Sequence, residues 1–133
     1  MEPTDDREGT MHIGAVAERT ALSLRTLRHY DEIGLVSPSE RSSGGFRLYT
    51  EADVERILLI RRMKPLDYSL QQMRELLEVT DAISGPGSSD AARDRLREFA
   101  QEAAERREAL ERKVAMADEF LARLRELTGP DGG

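Results

Sequence analysis

The chain has 133 residues, of which 35% are charged and 38% hydrophobic, with a formal net charge of −6, a mixture that suits one core domain with an appendage. It contains no cysteine, which excludes disulfides, thiolate metal sensing, iron–sulfur clusters and cysteine nucleophiles. No run approaches the roughly 18 apolar residues that cross a bilayer, and the acidic start lacks a secretory pattern, so a cytoplasmic protein with no membrane partner is expected.

Residues 1–10 have few apolar side chains and no period, and read as a disordered extension. Residues 11–80 form a domain. In it Ile13, Val16 and Ala17 give a short helical face, and Leu24, Leu27, Tyr30 and Ile33 give a second, with Ser23 as N-cap and Gly34 as stop. Thr20-Ala21-Leu22 is a tight connection, so the two helices make a helix-turn-helix candidate. After Pro38, Arg41 to Tyr49 alternates around Gly44-Gly45, the pattern of a two-stranded hairpin whose turn requires positive φ. Thr50 caps a third helix with Asp53 three residues on, and Val54, Ile57, Leu58 and residues 60–63 give its buried stripe. Pro65 ends or bends it, and Ser69 caps a fourth helix carrying Leu70, Met73, Leu76 and Leu77.

Residues 81–89 include Ser84-Gly85-Pro86-Gly87-Ser88-Ser89, a breaker cluster that reads as a linker. From Asp90 to Leu127 there is no Gly or Pro over 38 residues, enough for a helix of about 57 Å. Leu96, Ala100, Ala103, Leu110, Val114, Ala117, Leu121 and Leu124 recur in steps of four and three, with Arg107 interrupting. That is a coiled-coil seam, and an identical chain is the expected partner, giving a homodimer. Residues 128–133 are left as a disordered tail.

The net acidity conceals a local excess of the opposite sign. Residues 19–64 hold nine Lys or Arg against six acids, whereas residues 1–10 and 79–133 are each acidic by three charges. A basic face on an acidic body is the footprint of a nucleic-acid binder.

Residues 11–78 resemble the MerR family of bacterial transcriptional regulators. The residues that carry the resemblance are Ile13-Gly14 with Val16-Ala17, then Leu24-Arg25-Thr26-Leu27-Arg28-His29-Tyr30, then Ile33-Gly34-Leu35-Val36, then Gly45-Phe46-Arg47-Leu48-Tyr49, then Asp53-Val54 and Ser69-Leu70. The resemblance implies a mainly α fold, in which a winged helix-turn-helix with a small β-hairpin wing is followed by a long C-terminal coiled-coil helix that pairs antiparallel with its twin. It implies a dimer bound to a pseudo-palindromic promoter site, distorting the double-stranded DNA so that RNA polymerase engages both promoter elements. Two departures stand out. Family members usually carry Leu-Gly-Phe-Ser-Leu after the third helix, where Leu66-Asp67-Tyr68-Ser69-Leu70 lacks the glycine, and His29 stands where a second tyrosine is common.

Arg25, Thr26 and Arg28 fall opposite Leu24 and Leu27 on the second helix. In a lone helix they would be solubilising charges; beside a helix-turn-helix and a hairpin, DNA contact is the better reading. Arg25 is then suited to a base edge and Arg28 to a phosphate. His29 joins this set, and Tyr30 offers a core ring with a hydroxyl for phosphate. The resemblance makes Arg47 the wing residue that grips the backbone, with Tyr49 supporting it. Arg62 and Lys64 end the third helix, where the dipole favours cations in any case, and a phosphate role is equally consistent.

Other chemistry finds little support. His12 and His29 lie in different helices with no metal-ligand spacing, so no metal or cofactor is expected. Ser23, His29 and Asp31 contain the letters of a triad without a nucleophile elbow, and no enzyme is expected. The resembled family senses through residues after the long helix, and only Thr128 to Gly133 follow here. No separate ligand domain is expected. Three routes of control stay open: a pocket using Phe99 and Phe120, for which packing at the seam is the stronger role; a protein partner; or abundance alone. The competing function is a protein–protein interaction module working through the long acidic helix, and a third is an architectural protein coating DNA without a tight dimer.

Overall fold

The computed structural model describes residues 9–87 and 89–130. They divide into two compact units, residues 1–77 and 78–133. In order the elements are β1 (Thr10–Met11), α1 (Ile13–Thr20), α2 (Leu24–Glu32), β2 (Glu40–Arg41), β3 (Arg47–Thr50), α3 (Glu51–Met63), a 3-10 turn (Lys64–Leu66), α4 (Leu70–Ser84) and α5 (Asp90–Thr128). The fold is mainly α, a helix-turn-helix with a small antiparallel sheet, and a long last helix, as expected.

Local rules account for most of the boundaries. α1 ends at Ala21, whose φ of 59° turns the chain. Ser23 then accepts a hydrogen bond from the Thr26 amide at 3.0 Å and starts α2. At the far end of α2 the Leu35 amide donates to the Tyr30 carbonyl (2.8 Å) and the Gly34 amide to the Asp31 carbonyl (3.0 Å). This paired closure needs the positive φ that Gly34 supplies, 72°. Arg74 of α4 completes the cap, donating to the Ile33 carbonyl at 2.6 Å and to that of Gly34 at 3.3 Å. A guanidinium there also meets the negative end of the helix dipole.

The sheet order is β1-β3-β2, antiparallel throughout, with Thr10 opposite Thr50 and Arg41 opposite Arg47. The hairpin of β2 and β3 is the expected wing, with a wider turn than Gly44-Gly45 alone suggested. Residues 42–46 form its turn, and only Gly45 has positive φ, 85°. β1 was not expected: Thr10 had been placed in the disordered extension, yet it pairs with β3. The rest of that extension, residues 1–8, lies outside the described residues, as does the tail 131–133.

Thr50 and Asp53 form the predicted reciprocal cap of α3, with amide-to-side-chain distances of 3.1 Å and 2.9 Å. Asp53 is 6% exposed and does more, because the same Oδ2 accepts from the amide and hydroxyl of Ser39, at 3.1 Å and 2.7 Å. One satisfied carboxylate thus fastens the loop before the wing to the head of α3. Pro65 converts the end of α3 into the 3-10 turn, and Asp67 takes φ 67° at the position where the resembled family has glycine. Ser69 and Gln72 form a second reciprocal cap (3.1 Å and 2.8 Å) for α4.

Val16, Leu27, Leu48, Val54, Ile57 and Ile60 are sealed in the core of the first unit, each burial contributing about 1.5–3 kcal/mol. Leu24 and Leu70, expected on buried faces, are exposed. Each is the first residue of its helix and overhangs the core.

α4 runs through residues 81–84, which had been given to the linker, and the Gly85 amide closes its last turn on the Asp81 carbonyl at 3.1 Å. In α5, started by the Ala92 amide donating to the Ser89 hydroxyl oxygen (3.1 Å), the buried residues are Ala92 and Phe99. Arg95 lies over the Phe99 ring at 4.3 Å. Of the expected seam, Ala103 and Leu110 are half-buried, whereas Leu96, Ala100, Val114, Ala117, Leu121 and Leu124 are exposed in the single chain. Residues 111–128 are exposed throughout, Val114 at 61%.

Candidate nucleic-acid interface

α2 is pinned from one side by Leu27 and Tyr30, both buried, and this turns Arg25, Arg28 and His29 outward at the positions between them. Arg25, Thr26, Arg28 and His29 line a single open groove with Lys64 from the end of α3. Glu32 is the one acid on that groove. Among the described residues no carboxylate pairs with Arg25, Arg28, Arg62 or Lys64, whereas Arg19, Arg93, Arg95, Arg97, Arg107 and Arg123 are all in salt bridges. Cations left without partners along one open groove are suited to a polyanion.

Arg47 lies on the wing, in a hollow lined by Pro38, Ser39, Glu40 and Arg41. Its Nη1 and Nη2 meet Oδ2 and Oδ1 of Asp31 at 2.9 Å and 3.1 Å. Arg41 donates to the Gly45 carbonyl at 3.1 Å across the turn. Phe46 is exposed at the tip, its ring 3.4 Å from where a side chain on Gly44 would begin.

Two tyrosines are drawn inward. Tyr49, next but one to Arg47 on β3, is buried; burial pushes its phenol above 10.0, with the Asp31 charge adding to the rise and Arg47 opposing it. Tyr30 is 6% exposed and its hydroxyl is enclosed without a hydrogen-bond partner, while the residue lines the floor of the groove shared by Arg25, Arg28 and Lys64. The core packing of the ring outweighs the cost of the orphaned hydroxyl, roughly 1–3 kcal/mol. Arg62 is exposed but lines neither hollow.

Sequence reasoning passed over Glu32, noted Asp31 only as a chance triad letter and Phe46 only as part of the wing motif. A periodicity scan sees Asp31 only as one more polar residue on a helix; its partner is sixteen positions away on the other side of a turn.

Comparison with known proteins gives a consistent picture. A family model described as MerR HTH family regulatory protein matches residues 11–80. The heavy metal-dependent transcription regulator 2 of Rhizobium meliloti (strain 1021) is 33% identical over 119 residues, covering 90% of this chain and 75% of that protein. The nodulation protein NolA of Bradyrhizobium elkanii is 34% identical over 128 residues, 96% of this chain but 51% of its own, so the chain spans about half the length of that relative. Among solved structures, that of HiNmlR, a MerR family regulator lacking the sensor domain, bound to promoter DNA, superposes with a TM-score of 0.70 at 23% identity, covering 92% of this chain and 95% of that one.

Proposed function

The chain belongs to the MerR HTH family of regulatory proteins, and from that premise we propose that it is a dimeric regulator of transcription that binds double-stranded promoter DNA. The observation that carries this reading is the groove of unpaired cations on the outer face of α2, Arg25, Arg28 and Lys64, beside the arginine of the wing. α2 enters the major groove, where Arg25 reads a base edge and Thr26, Arg28 and His29 meet the backbone. Arg47, Arg62 and Lys64 take phosphates, with Tyr49 beneath the wing.

Dimerisation through α5 supplies the second head. Leu96, Ala100, Ala103, Leu110, Val114, Ala117, Leu121 and Leu124 form the seam, and the exposure of residues 111–128 in the single chain supports it. Two heads on one rod read a pseudo-palindrome, and a head spacing shorter than straight DNA allows bends or untwists the duplex. RNA polymerase, in the cytoplasm, is the machine that reads the altered spacer. Thiolate metal sensing forms no part of the proposal, because the sequence has no cysteine.

The test is a titration of the full chain against a duplex that it selects from a random pool, at two salt concentrations. Affinity should fall steeply with salt; Arg25→Ala should relax sequence preference, and Arg47→Ala should weaken all sequences and lower the salt slope by about 1. A protein that selects no duplex at low salt, or one indifferent to both substitutions, would instead be the interaction module.

A further inference from the structure

The bidentate pair of Asp31 and Arg47 joins the two parts of the interface, and the environments of its members differ. α2 is held by buried Leu27 and Tyr30, whereas the wing rests on a two-residue pairing with β2 and ends in an exposed turn, residues 43–46. The carboxylate is the sheltered member, its side chain 24% exposed against 49% for the arginine. Both of its oxygens are engaged, Oδ2 at 2.9 Å and Oδ1 at 3.1 Å. A guanidinium has five N–H donors in a fixed plane; the pair uses one on each of two nitrogens and leaves Nε–H and the outer N–H groups for another acceptor.

We infer that Asp31 is a positioning residue for DNA binding: it holds Arg47 by one edge of its guanidinium so that the remaining donors face a phosphate, and it locks the wing to α2. The inference rests on the DNA-binding reading above and deepens it. It runs against the simple electrostatic expectation, in which removing an acid from a phosphate-binding face improves affinity.

The same geometry bears on Arg28. It lies three residues before Asp31 on one helix face, a spacing at which opposite charges pair. Arg28 makes no such pair, while Asp31 pairs with Arg47 through both of its oxygens. Asp31 therefore serves Arg28 too, by being already satisfied. Without Arg47 the carboxylate would be left uncompensated beside Arg28 and would draw it from the DNA.

The experiment is a double-mutant cycle on the full chain with Asp31→Asn, Arg47→Ala and the two combined, measured against the selected duplex across a salt series, with thermal unfolding of each variant in parallel. Asp31→Asn should weaken binding about tenfold and lower the slope of log affinity against log salt by about 1, as a lost phosphate contact does. Asp31→Glu should restore part of the affinity. In the Arg47→Ala background Asp31→Asn should not weaken binding further. Binding by Asp31→Asn as tight as or tighter than the parent, or an equal loss in both backgrounds, would overturn the inference while leaving the DNA-binding reading intact. A parent chain that selects no duplex sinks both.

Discussion

The head, residues 9–77, and the last eighteen positions of α5 are both helical, yet they are stabilised in opposite ways. The head encloses its own apolar residues, and three of its helices begin with side-chain caps at Ser23, Thr50 and Ser69. Residues 111–128 are exposed throughout, Val114, Met116, Phe120, Leu121, Leu124 and Leu127 included, and among the described residues their side chains make intrahelical pairs such as Arg123 with Glu126 at 3.1 Å. Surface pairs of that kind contribute at most about 1 kcal/mol. One region is finished by its own sequence, and the other keeps an exposed apolar stripe that the dimer proposed above would cover.

The strongest way to break this contrast is to spoil only the exposed stripe. Leu121→Glu combined with Leu124→Glu should leave the thermal unfolding of the head in place while sedimentation shifts to monomer, and affinity for a two-site duplex should fall about a hundredfold as the benefit of linkage is lost. Unfolding of the head by this change would refute its self-sufficiency. Next in size, Asp53→Ala removes a buried acceptor shared by Ser39 and Thr50. A loss of about 3 kcal/mol in urea unfolding is expected, and a loss under 1 kcal/mol would mean that the loop before the wing is held by something else.

In the opposite direction, Ala21→Gly should raise the stability of the head by about 1 kcal/mol, because a left-handed backbone at φ 59° strains any residue with a Cβ. The smallest effect is one of pH. Burial raises the Tyr49 phenol above 10.0 in the folded chain, so the contribution is fully present below pH 10 and is lost as pH rises through the folded value, where the unfolded state ionises first. All three tyrosines lie in the head, and alkaline unfolding should therefore start there; Tyr49→Phe should flatten that part of the curve.

Much of the head could be read from the chain because its signals are local. The caps at Ser23, Thr50 with Asp53, and Ser69 act within three residues, and Gly34 stops α2 where a positive φ is needed. What escaped was set by partners distant in sequence. β1 exists only because β3 offers an edge, and two residues carry no period. Asp31 finds Arg47, and Asp53 finds Ser39, across intervening turns. The chain lacks the family's glycine after the 3-10 turn, and Asp67 adopts the left-handed conformation itself, which a short polar side chain tolerates better than most. In α5, the seam names residues that a partner would cover; packing was expected of Phe99 and Phe120, yet the chain itself buries Phe99 together with Ala92 and leaves Phe120 exposed, a difference that a strict heptad passing beside them does not carry.

The cap that Arg74 places on α2 sets a limit on transplantation. The carbonyls of Ile33 and Gly34 are closed by a side chain forty positions downstream, so a cassette comprising only the helix-turn-helix and wing would carry an unfinished helix end. A chimera seeking to borrow this chain's sequence preference should take α4 along, or supply another cation at the same spot.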